Sequence, residues 1–129
     1  MEEEQTRVLI VEDDAFQRLA VVDIFETLEY EVTAKENGQT AWESLNESTR
    51  GYNFAVIDMV MPEVDGLELL HRMKQSANPK IKNLPVFIMS SNEEVDMVTA
   101  CIQMGAIDFM LKPINFALAR SLAHKARSF

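Results

Sequence analysis

Short apolar runs rich in β-branched residues alternate along this chain with longer stretches of helical periodicity. Such alternation is typical of βα units, whose strands join into a parallel sheet covered by helices on both faces. The runs predict five strands over residues 8–11, 31–34, 54–58, 86–90 and 108–111. The first, third and fourth runs are almost entirely apolar, as expected of central strands, which leaves the second and fifth strands for the edges of the sheet.

Apolar residues at helical spacing predict five helices around this sheet. Gly38 opens the second helix, and Ser91 with Asn92 can cap a fourth over about 93–104. Gly105 ends that helix, and Asn115 can cap the last one. Segments 48–53, 61–66 and 76–85 are predicted to be loops. The expected fold is α/β, a doubly wound five-stranded parallel sheet of order 2-1-3-4-5 with five helices.

The 129 residues and 47% apolar content suit one domain, assigned to residues 7–128, after an acidic segment 1–6 that is expected to be disordered. A formal charge of -9 disfavours direct binding to nucleic acid or to an anionic membrane, since both would repel the protein. No apolar run approaches the ~18 to 20 residues of a membrane span, and the single cysteine, Cys101, suits a reducing compartment. We expect a cytoplasmic location, or a nuclear one in a eukaryotic cell.

Charged and hydroxyl side chains stand at the carboxyl ends of four predicted strands. They are Glu12, Asp13 and Asp14 after the first strand, Asp58 at the end of the third, Ser90 at the end of the fourth and Lys112 after the fifth. Open parallel sheets bind their ligands at this edge, and strands one and three are neighbours in the predicted order. Independent caps and turns have no reason to produce this arrangement, so it is interpreted as one site.

Carboxylates held within a few ångströms of one another repel unless one is protonated or a cation lies among them. Oxygen ligands without His or Cys favour Mg²⁺ over zinc. We predict that Asp14 and Asp58 bind Mg²⁺ and that Asp13 assists directly or through water. The backbone carbonyl of Val60 is predicted to complete the protein ligands.

A carboxylate beside such a cation can act as the nucleophile toward a phosphoryl group. Asp58 is the predicted acceptor, with Lys112 and Ser90 neutralising charge on the transferring oxygens. The modification adds roughly -1.5 to -2 charge and three strong acceptor oxygens at one point. This chemistry predicts a signalling switch.

Four segments resemble those of a known family. They read VLIVEDD over 8–14, AVIDMVMPEVDG over 55–66, VFIMSS over 86–91 and GAIDFMLKP over 105–113. In order and spacing they resemble the receiver domain of two-component response regulators, a CheY-like domain with a flavodoxin-like fold, over about residues 7–125. The resemblance implies that Asp58 is phosphorylated by a histidine kinase or a histidine phosphotransfer protein, with Mg²⁺ held by Asp13 and Asp14.

The resemblance also implies how the switch works. Ser90 would turn its hydroxyl toward the phosphoryl group while the ring of Phe109 moves inward. Lys112 would contact the phosphoryl oxygens, and its bond to Pro113 is expected to be cis. The output surface would be the face of the fourth helix, fifth strand and fifth helix, bound by a downstream protein or a second copy of the chain. That region holds, among other apolar residues, Val95, Met97, Met104, Met110 and Phe116, some of them expected in the core.

Two positions depart from the family pattern. Glu29 stands where a glycine commonly ends the first helix, which requires another cap or a left-handed residue. Val60 stands where relatives carry a polar side chain that guides the hydrolytic water, and Asn92 is the only polar candidate near Ser90 that could replace it. We therefore predict slow loss of the phosphoryl group. The protein would catalyse only its own phosphorylation and slow dephosphorylation.

Three alternative functions would each require a different set of residues. An unphosphorylated, receiver-like binding module would lack an acidic or lysine position, and none is missing. A haloacid dehalogenase-like phosphatase would carry an Asp-x-Asp pair after strand one, where Glu12 and Asp14 stand. A flavodoxin-like FMN carrier would need Ser, Thr or Gly in the first loop, which is acidic here.

Overall fold

Five parallel strands form the centre of the structure, a computed structural model that describes residues 5–91 and 94–128. They are β1 (Arg7–Val11), β2 (Glu31–Lys35), β3 (Phe54–Asp58), β4 (Val86–Ser90) and β5 (Asp108–Leu111). Their order is β2-β1-β3-β4-β5, which confirms the predicted topology. Each strand lies within one residue of its predicted bounds.

Six helices lie within the described residues, one more than predicted. They are α1 (Ala15–Thr27), α2 (Gly38–Glu47), α3 (Gly66–Lys74), α4 (Pro79–Lys82), α5 (Val95–Met104) and α6 (Phe116–Ala126). The additional helix α4 is a single turn inside segment 76–85, where the sequence pattern predicts a loop. It forms because Asn78 caps it, Pro79 suits the first helical position and the Ile81 side chain is buried.

The predicted fourth and fifth helices are α5 and α6. Asn115 caps α6 by accepting the Leu118 N–H at 2.9 Å, as predicted, and Gly105 ends α5 with a positive φ of 121°. The predicted cap Asn92 and the predicted helix start at 93 lie outside the described residues, as does most of segment 1–6. None of the helices described has the length and apolar character needed to cross a bilayer.

Alternate side chains of the strands enter two separate hydrophobic layers, as the two-residue period of a strand requires. Leu9 of β1 packs in a layer with α2, α3 and α5, whereas its neighbours Val8 and Ile10 pack in a layer with α1 and α6. The strands β3 and β4 are buried throughout, while β2 and β5 are partly exposed edges, as predicted. All five strands run in parallel, so the residues that follow them share one edge of the sheet.

The carboxyl end of α1 lacks the usual glycine. Glu29 adopts a left-handed conformation with φ of 70°. The Tyr30 N–H then donates to the Phe25 carbonyl at 3.0 Å, and the Glu29 N–H donates to the Glu26 carbonyl at 2.9 Å. Tertiary contact holds this turn, since the rings of Phe25 and Tyr30 each pack against Phe54 of β3 with centroids 5.9 Å apart.

Glu29→Gly is expected to raise the free energy of unfolding by about 1 kcal/mol, because glycine adopts the left-handed conformation without the steric cost of a Cβ. Glu26→Gly, inside α1, is the control and should lower the free energy of unfolding by about 1 kcal/mol. Urea denaturation measures both. A Glu29→Gly variant less stable than the wild type would contradict the prediction.

Candidate active site

Asp58 ends β3 with its carboxylate buried, and only 3% of the residue is exposed. Its Oδ1 lies 2.9 Å from the ammonium Nζ of Lys112, which follows β5. The Lys112 N–H donates to the Ser90 carbonyl at 2.8 Å, so the loop after β5 stays against the end of β4. The Lys112–Pro113 bond is cis, as expected. The sheet edge therefore brings the predicted acid and base into direct contact.

Glu12, the first residue after β1, is equally buried and shares the same ammonium. Its Oε2 lies 3.0 Å from Lys112 Nζ, and its Oε1 accepts the Asp14 N–H at 3.2 Å. Sequence reasoning assigns Glu12 no ligand role. The two-residue period of a strand could have predicted that the Glu12 side chain points inward. Glu12 continues the alternation of Val8 and Ile10, whose side chains are buried in the layer with α1.

The three acidic residues after β1 have different environments. Asp13 is exposed, and one oxygen each from Glu12, Asp13 and Asp58 lie within 4.8 Å of one another. Asp14 lies outside this group, because α1 starts at the next residue and the Asp14 Oδ1 caps it by accepting the Gln17 N–H at 2.9 Å. The structure thus brings Glu12 rather than Asp14 to the other two acids, unlike the ligand set predicted from the sequence.

The Ser90 hydroxyl is buried at the end of β4 and has no hydrogen-bond partner in the described part of the chain. A buried hydroxyl without a partner is unfavourable, which marks Oγ as a group available to a ligand. Phe109, the predicted second member of the switch, is 42% exposed, so its ring lies at the surface of β5. An inward movement of this ring stays a prediction.

A tight loop follows Asp58 and leads into α3. The Gly66 N–H donates to the Met59 carbonyl at 3.0 Å, and a Cβ at Gly66 would lie only 2.5 Å from the Asp58 carbonyl oxygen. Glycine is required here, since any side chain would push on the backbone of Asp58. Val60 lies in this loop with half of its surface exposed, and its carbonyl stays a predicted metal ligand.

Burial raises the pKa of Asp58 to about 7, opposed by the hydrogen bond to Lys112 and assisted by the charge of Glu12. Burial also acts to lower the pKa of Lys112, but the hydrogen bonds to Asp58 and Glu12 outweigh it and raise that pKa. With Asp13, three carboxylates meet one ammonium, so the site attracts a further cation. Its donors are all oxygen atoms, which fits Mg²⁺ with Glu12, Asp13 and Asp58 as the residues that could hold it.

Asp58→Asn is expected to stabilise the metal-free protein at neutral pH. A carboxyl whose pKa is raised by folding keeps a proton that the unfolded chain releases, so stability falls as the pH rises from about 4 to about 7. In EDTA, the free energy of unfolding of the variant should exceed that of the wild type by a few kcal/mol at about pH 8 and by little at about pH 4. Urea denaturation across this range measures the difference.

Asp23→Asn is the control, because it removes the same charge on the exposed side of α1, outside the site. A difference between Asp58→Asn and the wild type that stays constant with pH would contradict the prediction.

The chain is similar in sequence to proteins of a known family. Residues 8–123 match the family model of the response regulator receiver domain. The two-component response regulator ORR3 of Oryza sativa subsp. indica is 34% identical over 113 residues, which cover 88% of this chain and 84% of that protein. The two-component response regulator-like PRR37 of the same plant is 39% identical over 110 residues, which cover 84% of this chain but only 14% of that longer protein.

Solved structures share the fold at lower identity. A response regulator receiver protein from Pseudomonas putida has a TM-score of 0.85 at 22% identity, and the match covers 96% of this chain and 99% of that one. The receiver domain of the sensor histidine kinase PA1611 from Pseudomonas aeruginosa, with a magnesium ion coordinated in its active site cleft, has a TM-score of 0.86 at 21% identity, covering 98% and 100%. With the family match over most of its length, this chain belongs to the response regulator receiver domain family.

Proposed function

We propose that Asp58 accepts a phosphoryl group from the phosphohistidine of a histidine kinase or a histidine phosphotransfer protein, in a Mg²⁺-dependent reaction. The observation that carries this proposal is the buried Asp58 carboxylate, paired with Lys112 at the sheet edge that also holds the Ser90 hydroxyl. The pathway would be a two-component system or a phosphorelay, inside the cell, in the cytoplasm or the nucleus. Membership of the receiver family and the similarity to plant response regulators support it.

In the transfer, a carboxylate oxygen of Asp58 forms a bond to phosphorus while the bond from phosphorus to the donor imidazole nitrogen breaks. The imidazole keeps that electron pair and takes up a proton, and Asp58 becomes an acyl phosphate. Lys112, already 2.9 Å from Asp58, supplies donors to the phosphoryl oxygens. Ser90 supplies its buried hydroxyl to a further oxygen.

The proposed Mg²⁺ ligands are Asp13, Asp58 and the Val60 carbonyl, with Glu12 directly or through water. Glu12 takes the place that the sequence analysis gives to Asp14, whose carboxylate caps α1. The bound ion supplies positive charge that neutralises the carboxylates and the transferring oxygens. Support comes from the oxygen-only donor set and from the magnesium ion in the PA1611 receiver domain.

We also propose the face of α5, β5 and α6 as the surface bound by a downstream protein or a second copy of the chain. Its exposed apolar residues are Val95, Phe109, Leu111 and Phe116, each at least 42% exposed. Phe109 connects this face to the site, because it lies on β5 three residues before Lys112. Of the methionines, Met110 is buried in the core, and Met97 and Met104 are partly buried against it.

Incubation with acetyl phosphate and MgCl₂, followed by intact mass measurement, tests the phosphoacceptor. The wild type should gain one phosphoryl mass and Asp58→Asn none. Lys112→Ala should react about 100-fold more slowly, because the transferring oxygens lose their ammonium. Lys125→Ala is the control, since this lysine pairs with Asp108 away from the site.

An unlabelled wild type, or equal labelling of Asp58→Asn, would refute the proposal. The alternative of an unphosphorylated binding module would then stand.

The acyl phosphate is expected to persist for minutes or longer, because the Val60 side chain cannot orient a water molecule. Asn92, the only polar candidate near Ser90 in the sequence, lies outside the described residues. Val60→Asn should shorten the half-life about tenfold, the effect of roughly one hydrogen bond to the attacking water. The control is Leu19→Asn, which introduces the same amide at an exposed residue of α1. A wild-type half-life of seconds would contradict the prediction.

A further inference from the structure

The loop between β1 and α1 carries two of the three clustered acids, and it needs support that the sheet does not supply. Glu12 follows the last residue of β1, and Asp13 is exposed one residue further on. On one side, the Glu12 N–H donates to the Lys35 carbonyl at 3.1 Å, which fastens the start of the loop to β2. Asp13 itself has no place in the sheet ladder. Its position depends on what holds the main chain beside it.

On the other side, Arg18 of α1 reaches back over the first turn of the helix to this loop. Its Nη1 donates to the Glu12 carbonyl at 2.9 Å and lies 3.4 Å from the Asp13 carbonyl. The Arg18 backbone is itself anchored, since its N–H donates to the Asp14 carbonyl at 2.8 Å. A rigid helix thus fastens both residues whose carboxylates face Asp58.

A guanidinium beside a cation site is unexpected on charge alone. Its positive charge repels Mg²⁺, so electrostatics by themselves would make the site bind the ion more weakly. The hydrogen bonds act in the opposite direction, because a loop held in the binding geometry loses less conformational freedom when the ion arrives. Which effect is larger decides the role of Arg18.

We propose that Arg18 is a positioning residue that holds the Glu12–Asp13 main chain in the geometry that binds the divalent cation. This proposal rests on the metal site of the proposed function, but not on phosphoryl transfer. Arg18 acts through the loop and touches neither the ion nor the phosphoryl group.

The test compares Mg²⁺ binding by the metal-free wild type and by Arg18→Met, which keeps an unbranched apolar stem and removes both the donors and the charge. Titration calorimetry with MgCl₂ should show about tenfold weaker binding by the variant. Arg18→Lys, which keeps the charge and one shorter donor, should fall between the two. Arg120→Met, an exposed arginine of α6, removes the same charge far from the loop and should bind as the wild type does.

Two further measurements separate positioning from general loss of structure. In the metal-free Arg18→Met protein, the amide hydrogens of Glu12 and Asp14 should exchange faster while those of the central strands stay protected. With acetyl phosphate, the Arg18→Met protein should need more Mg²⁺ but reach the wild-type rate at saturation, since the reacting groups are intact.

Equal or tighter Mg²⁺ binding by Arg18→Met than by the wild type would overturn the proposal, because the hydrogen bonds of Arg18 would then not strengthen binding. Weaker binding by Arg18→Lys than by Arg18→Met would also overturn it, because charge alone gives that order. If Arg18→Met does not fold, Arg18→Gln decides by the same comparison with the wild type, as its amide is too short to reach the carbonyls. A wild type that binds Mg²⁺ but takes no phosphoryl group would refute the proposed function and leave this test valid.

Discussion

One partly buried ammonium, that of Lys112, holds the carboxyl edge of the sheet together. Lys112 Nζ lies 2.9 Å from Asp58 and 3.0 Å from Glu12, and both acids are almost wholly buried. Without this cation the two carboxylates would repel each other, and one would have to keep a proton. Burying such a group of charges costs the folded state their hydration, which offsets the attraction between them. With Asp13, the cluster has three carboxylates and one ammonium, so its excess negative charge attracts a further cation.

The strand order decides which side chain types can build this site. β1 lies directly beside β3, so acidic side chains that follow β1 reach Asp58 across one strand spacing. β4 separates β3 from β5, so a base that follows β5 must reach across about 10 Å. The long stem of Lys112 spans this distance, while Ser90 ends the strand between them. The two residues of the predicted switch, Ser90 and Phe109, likewise belong to neighbouring strands.

Flanking structure keeps the acids in place. Gly66 lets α3 begin against the backbone of Asp58, where a Cβ would not fit. The loop after β1 is held by β2 through the Lys35 carbonyl and by α1 through Arg18. The site therefore depends on helices that contribute no ligand, and its geometry reflects the packing of the whole carboxyl edge.

The sequence by itself determined the strands, their order and the position of Asp58 at the end of β3, because these depend on local periodicity and on the rule that parallel strands end at one edge. Only the tertiary structure decided which two of the three acids after β1 lie beside Asp58. The Glu12 side chain continues the alternation of the strand and points inward, whereas the Asp14 side chain caps α1. Three consecutive acidic residues in a sequence do not reveal this difference in side-chain direction. The same holds for the helix α4 and for the pKa of Asp58, since both arise from burial that distant segments create together.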